Sequence, residues 1–215
     1  MNIVEHKVTF GKHDFILNNQ RSMFWEKHQA LILSDLRLGK SAHLRRNGFA
    51  IPSYTHSHDI QRLSELIQYY QAQQLIIVGD MIHAKNNKEV MALKEFHHKN
   101  PDLKMILIKG NHDRLSNAFL YDLGVHQIEN SFLFDGILFV HEPISESEHS
   151  TISGHIHPGV QVNLLKNNRK SFPCFALHQN ILILPAFSLF TGLDTKSLDK
   201  NTKYFAFHSE GFFFI

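Results

Sequence analysis

Cysteine is nearly absent: Cys174 is the only one in 215 residues. A lone thiol cannot close an internal disulfide, and a thiolate metal cluster needs several. Cys174 sits in the run Phe172-Pro173-Cys174-Phe175-Ala176-Leu177 and reads as a buried strand residue rather than a reactive thiol. Long apolar runs are missing too. Nothing approaches the ~20 residues of a transmembrane helix. The first ten residues alternate polar and apolar types, unlike the apolar core of a secretory signal, so a cytoplasmic protein is expected. Charge of one sign is scarce: 22 Lys and Arg against 20 Asp and Glu leave a formal +2. Whole-molecule charge therefore gives no case for a polyanion partner, and any steering must come from a local patch. The single tryptophan, Trp25, offers no evident platform for stacking bases. Repeats, low-complexity tracts and long linkers are also absent.

What is present is a chain that is 43% hydrophobic, which excludes disorder and suits one domain over residues 1–215. Residues 3–28 read as two or three short strands, and Leu31-Ile32-Leu33-Ser34 as a buried strand ending at Asp35. Ile60, Leu63, Leu66, Ile67 and Tyr70 recur at helical spacing, predicting a helix over 55–71 capped by Thr55 or Ser57. Leu75–Val78 is a second buried strand, 87–99 a second helix, and Met105–Ile108 a third strand. Strand, helix, strand, helix, strand predicts a parallel sheet with helical crossovers. The second half changes character, with strands predicted at 132–140, 150–154, 172–178, 180–184 and 203–215 and turns at Asp135-Gly136, Asn167-Asn168, Gln179-Asn180 and Glu210-Gly211. The Phe-rich tail reads as core strand.

Histidine is abundant, at 17 residues. Most are expected on the surface, but some follow strands beside Asp, Asn and Gly. Five polar clusters share one design, in which an apolar strand ends and a metal-ligating residue type follows. They are Ser34-Asp35, Gly79-Asp80, Gly110-Asn111-His112-Asp113, His141 after Leu138-Phe139-Val140, and Gly154-His155-Ile156-His157. Residues just past the carboxyl ends of neighbouring strands converge on one crevice. Carboxylates and imidazoles gathered there are costly without a cation. Carboxylate, amide oxygen and imidazole suit manganese, iron or zinc better than calcium or a thiolate-seeking ion.

In this order the motifs resemble the calcineurin-like metallophosphoesterase superfamily. The resemblance implies an α/β fold, a four-layer αββα sandwich of two mixed β-sheets flanked by helices, with two divalent ions. It implies that Asp80 bridges them, that Asn111, His141 and His155 hold one ion, and that Asp35 and His157 hold the other. His112 would sit over the leaving group, oriented by Asp113, and a metal-activated hydroxide would attack phosphorus. Further segments, Leu36-Arg37-Leu38-Gly39-Lys40, Arg46-Asn47-Gly48, Ile51-Pro52, Asp80-Met81-Ile82-His83, His141-Glu142-Pro143, Pro158-Gly159 and Leu184-Pro185-Ala186-Phe187, are similar to the bacterial ligase-associated DNA damage response endonucleases. That likeness implies a manganese-dependent phosphodiesterase and endonuclease with DNA as substrate, associated functionally with a DNA ligase and a helicase.

One position departs from the pattern. The superfamily's Asp-x-His is here Asp35-Leu36-Arg37. Arginine has no lone pair to donate, so it cannot replace a histidine ligand. The expected outcome is that Arg37 turns away and two ions bind, the Asp35/His157 site being weak or empty. The alternative is that Arg37 fills the lost ligand's place and grips phosphate itself, as a catalytic cation. A third reading is a catalytically weakened scaffold. From Arg37 to Arg46 there are four cations, Arg37, Lys40, Arg45 and Arg46, with His43 and no acid. Lys40, His43, Arg45 and Arg46 are therefore candidate contacts to a phosphate backbone, or simply a solvated basic loop. His83, three residues past Asp80, is a further substrate-contact candidate. A small nucleotide or nucleotide-sugar lipid remains the alternative substrate, although no amphipathic cap for a lipid is evident.

Overall fold

The computed structural model describes residues 1–40, 58–83, 88–144, 147–163, 169–198 and 201–215. Seven strands form the first sheet, in the spatial order of the chain. They are β1 (Glu5–Phe10), β2 (His13–Asn18), β3 (Ser22–Trp25), β4 (Ala30–Leu33), β5 (Gln74–Val78), β6 (Lys104–Ile108) and β7 (Val125–Glu129). β1 to β4 form an antiparallel meander, and β4 to β7 run parallel. Helix α1 (His58–Tyr70) joins β4 to β5, α2 (Lys88–Lys99) joins β5 to β6, and α3 (Asn117–Asp122) joins β6 to β7. The predicted strand–helix alternation is thus observed.

The central strands are apolar on both faces because both faces are covered. Leu31, Leu33, Leu75, Ile77, Met105 and Leu107 face the helices, meeting Leu63 and Leu66 of α1, Leu93 and Phe96 of α2, and Leu120 of α3. Their neighbours Ala30, Ile32, Ile76, Val78, Ile106 and Ile108 face the other way, into a core shared with the second sheet.

That sheet comprises β8 (Ser131–Phe134), β9 (Ile137–Val140), β10 (Ser150–Ser153), β12 (Arg169–His178), β13 (Ile181–Ile183), β14 (Lys203–His208) and β15 (Gly211–Phe214). Their order is β15-β14-β12-β13-β10-β9-β8, and β11 (Gly159–Asn163) pairs with β12 off this path. β9, β10 and β13 are parallel and the other pairs antiparallel, so both sheets are mixed, as expected. Phe139, Phe175 and Phe207 meet Phe15 and Trp25 between the sheets. Trp25 is core, with no exposed face to offer a base. The three helices described pack on the first sheet. On the outer face of the second, Val160 of β11 packs against Cys174 and Ala206, and Ile156 and Leu198 pack against Ala176, Ile181 and Ile183, with a bridge between Pro158 and Asp194 nearby.

Cys174 is buried on β12 opposite Ala206, and burial pushes its thiol pKa up to about 12. The Phe-rich tail forms strands β14 and β15; Phe207 enters the core while Phe214 stays exposed. Three elements had no sequence signal. α3 is six residues long with one buried side chain, too short to show periodicity. β7 is a polar edge strand, and β11 carries only two valines. Thr55, Ser57 and the Asn167-Asn168 turn lie outside the described residues. Among those described, no helix is long and apolar enough to cross a membrane.

Candidate metal centre

Parallel strands from both sheets end at one place. Asp35 follows β4, Asp80 follows β5, Asn111 follows β6, His141 follows β9 and His155 follows β10. The backbone turns sharply there. Asp35, Arg37, Asp80, His155 and His157 all adopt positive φ, between 48° and 68°, and make up five of the eleven non-glycine residues that do so among those described. Such conformations cost energy and persist where the surroundings enforce them. Asp35 N–H donates to Gly79 O at 3.1 Å, and Arg37 N–H to Asp80 O at 2.8 Å, so the β4 and β5 exits are laced together. Glycine is required where the backbones crowd. A Cβ on Gly79 would lie 1.9 Å from His141 Nδ1, and one on Gly110 2.3 Å from Asp80 Oδ1.

Asp35 and Asp80 are both wholly buried. Asp35, Asp80 and His141 each place a ligand atom within 4.8 Å of the others. His141 is set by the strand beside it: its Nδ1 lies 3.1 Å from Val78 O and must carry the proton. In a neutral imidazole that leaves Nε2 as an acceptor. Around Nε2 stand Asn111 Oδ1 at 3.3 Å, His155 Nδ1 at 3.2 Å and Asp80 Oδ1 at 3.7 Å. Oxygen and imidazole acceptors facing one another fit a divalent ion between them. Asp80, Asn111, His141 and His155 therefore satisfy the donor chemistry of one ion.

The other half differs. Arg37 does not turn away. Its Nη2 lies 2.6 Å from Asp80 Oδ2 and its Nε 3.2 Å from Asp35 Oδ1, and the side chain is 11% exposed. His157 Nε2 is 2.8 Å from the same Asp35 Oδ1. The outward placement expected from charge repulsion is thus overturned, because two buried carboxylates attract the guanidinium more strongly than water does. Asp35 Oδ2 accepts from Ser34 Oγ and from His155 N–H. Burial alone would raise the Asp35 pKa, but the hydrogen bond and charge of His157, with Ser34 and His141, outweigh it and hold the group at about 2.

Asp113 does not orient the His112 ring as expected. Its Oδ1 accepts from Met81 N–H at 2.9 Å and Ile82 N–H at 3.2 Å, and its Oδ2 from Gly110 N–H at 2.9 Å. It staples the β5 and β6 exit loops, and burial, partly offset by these amides, raises its pKa. His112 is exposed, with its N–H donating to Asp80 Oδ1 at 3.0 Å. The His83 ring lies 5.8 Å from that of His112, so the structure brings His83 to the site's rim. Lys40 is half-buried close by; burial, then Arg37, lowers its pKa while Asp35 and Asp80 oppose them. His43, Arg45 and Arg46 lie outside the described residues.

Some neighbours had no sequence signal. A cavity of about 400 Å³ beside Asn111 and His141 is also lined by Lys109, Asn130 and Glu142. Beneath Asp35, Arg21 Nη1 donates to Ala186 O at 3.1 Å and Ser188 O at 3.2 Å, while Arg62 Nη2 donates to Phe187 O. Phe187 and Ser188 in turn donate to Ser34 O at 2.8 Å and Asp35 O at 3.1 Å. Such second-layer roles depend on long-range packing and have no local pattern.

A buried carboxylate pair and clustered imidazoles at parallel strand ends define a metal-dependent phosphoester hydrolase site. The calcineurin-like phosphoesterase family model matches residues 29–210, and the chain belongs to that family. Among solved structures, the crystal structure of Pseudomonas putida nuclease MPE is similar, with a TM-score of 0.80 and 24% identity over 94% of this chain and 96% of that one. A search of curated proteins finds no match.

Proposed function

We propose that the chain is a phosphodiesterase that cleaves DNA. The observation that carries this is the convergence of Asp80, Asn111, His141 and His155 on one point, with two further cations, Arg37 and Lys40, beside it. The likeness to a nuclease of the same fold, and the motif similarity to repair endonucleases, favour a polynucleotide over a small ester. The motif similarity alone favours manganese as the ion and a DNA ligase and helicase as functional partners.

Asp80, Asn111, His141 and His155 would hold the ion, with Asp35 and His157 on the opposite wall. A divalent ion in such a site lowers the pKa of bound water and offsets charge on a phosphodiester. Val78 O fixes the tautomer of His141, so its Nε2 lone pair points inward. Arg37 and Lys40 attract the phosphate oxygens. His112, exposed at the rim, is placed to give a proton to the leaving oxygen. Asp113 keeps the two loops that carry Asp80 and His112 in register. The buried groups Ser34, Val78 and Gly79 position ligands without touching substrate.

The test is to offer the purified protein supercoiled plasmid, single-stranded DNA and bis(p-nitrophenyl) phosphate, each with manganese chloride. Cleavage of DNA at protein concentrations that turn over the small diester is expected. Turnover of the small diester with intact DNA would reject the polynucleotide reading.

A further inference from the structure

The two buried carboxylates divide their oxygens between two unlike halves. Asp80 turns Oδ1 toward His141, 3.7 Å away, on the Asn111 and His155 side. It turns Oδ2 toward Arg37 Nη2, at 2.6 Å. A carboxylate bridging two metal ions divides its oxygens in the same way, but here one partner is a guanidinium. Asp35 is already satisfied. Oδ1 takes Arg37 Nε at 3.2 Å and His157 Nε2 at 2.8 Å, and Oδ2 takes Ser34 Oγ and His155 N–H.

A second ion on this side would have to displace Arg37 from both carboxylates. The backbone resists that. Arg37 N–H donates to Asp80 O at 2.8 Å, Leu38 N–H to Met81 O at 2.9 Å, and His83 N–H to Leu38 O at 2.8 Å. The segment 37–38 is thus zipped to 80–83, and it aims the Arg37 side chain inward. Charge leads to the same conclusion. Two carboxylates carry −2; one divalent ion and one guanidinium supply +3, leaving +1 for a phosphodiester of −1. A second divalent ion beside Arg37 would leave +3 in a buried space, with no donor added to hold it.

We propose that this site takes one divalent ion, and that Arg37 occupies the place of the second as a permanent, tethered cation. This deepens the phosphodiesterase reading and rests on it for the role of Arg37, whose planar fork suits a non-bridging phosphate oxygen. Such a cation cannot dissociate, so its +1, one third of the +3 counted above, survives chelation.

The inference is tested without substrate, by manganese binding to the full chain. Isothermal titration with manganese chloride and electron paramagnetic resonance would be applied to the wild type and to Arg37→His, with circular dichroism checking the fold. One ion per chain and an isolated-ion spectrum are expected for the wild type; two ions and a spin-coupled spectrum are expected for Arg37→His. Should Arg37→His not fold, Arg37→Ala takes its place, with a second, weaker ion expected. Two ions in the wild type overturn the inference. So does a variant that folds and still takes only one. Because the readout is stoichiometry, a protein that binds one ion but cleaves no phosphodiester would reject the function and leave this inference standing.

Discussion

His141 donates from Nδ1 to the carbonyl of Val78, 63 residues away, at 3.1 Å. That one bond orients the ring, sets its tautomer and requires a glycine next to Val78. A Cβ at Gly79 would meet the same Nδ1 at 1.9 Å, and the φ of +84° strains any side chain there. Gly79→Ala is therefore expected to push His141 out of the site. Manganese affinity should fall about 10- to 100-fold, the usual cost of losing a ligand's supporting contact. Titration calorimetry reads the affinity and circular dichroism the fold; unchanged affinity would show that His141 holds no ion.

Asp113 makes a separate case, because it accepts from three backbone amides, those of Gly110, Met81 and Ile82. Asp113→Ala strands them, with an expected loss of about 2–4 kcal/mol in denaturant unfolding. Asp113→Asn keeps one acceptor oxygen and should cost less. Since Asp113 serves the loops and not the His112 ring, the pH profile of kcat/KM should keep its shape in Asp113→Asn. A displaced limb in that profile would restore the ring-orienting role.

Acid stability should report on Asp35. Burial pushes its pKa up, but His157, Ser34 and His141 pull it down further, to about 2. An unfolded aspartate titrates near about 4. The folded value is the lower one, so the contribution is present above about pH 4 and disappears as the pH falls from about 4 to 2. Urea unfolding of chelator-treated protein at pH 5 and pH 3 should show a larger loss for the wild type than for Asp35→Asn. Equal losses would mean that the carboxylate is not held in its ionised form.

Arg62 braces the site from below. It is 4% exposed, pairs with Asp59 at 3.1 Å and stacks 4.1 Å from the Phe187 ring centre. Arg62→Ala takes the ion-pair partner from buried Asp59, leaving it the Ser188 hydrogen bond and the more weakly acting His58 and Arg21, with an expected cost of up to about 3–5 kcal/mol. Adding Asp59→Asn should recover part of it. Thermal unfolding of the single and double variants checks both values, and additive losses would argue against the pair.

The candidate metal ligands were legible because their clusters follow apolar strands, and parallel strands bring their carboxyl ends together whatever the distance along the chain. Asp35, Asp80, Asn111, His141, His155 and His157 all reach one crevice for that reason. The orientation of Arg37 was not legible. It follows from a positive φ and from pairing with the Asp80 loop, neither of which leaves a trace in residue order. The role of Asp113 was hidden similarly, since a carboxylate beside histidine reads the same whether it serves the ring or the backbone. Short elements such as α3 and β11 were missed because six or fewer residues cannot establish a period.

The account depends most on a cation held between these side chains. Hydrolysis of bis(p-nitrophenyl) phosphate by chelator-stripped wild type and by Asp80→Ala, across a manganese titration, tests it most directly. We expect a wild-type rate that is negligible without added metal and rises to saturation, and no turnover by Asp80→Ala at any manganese concentration. Wild-type turnover by Asp80→Ala, or full activity of the stripped enzyme, would contradict it.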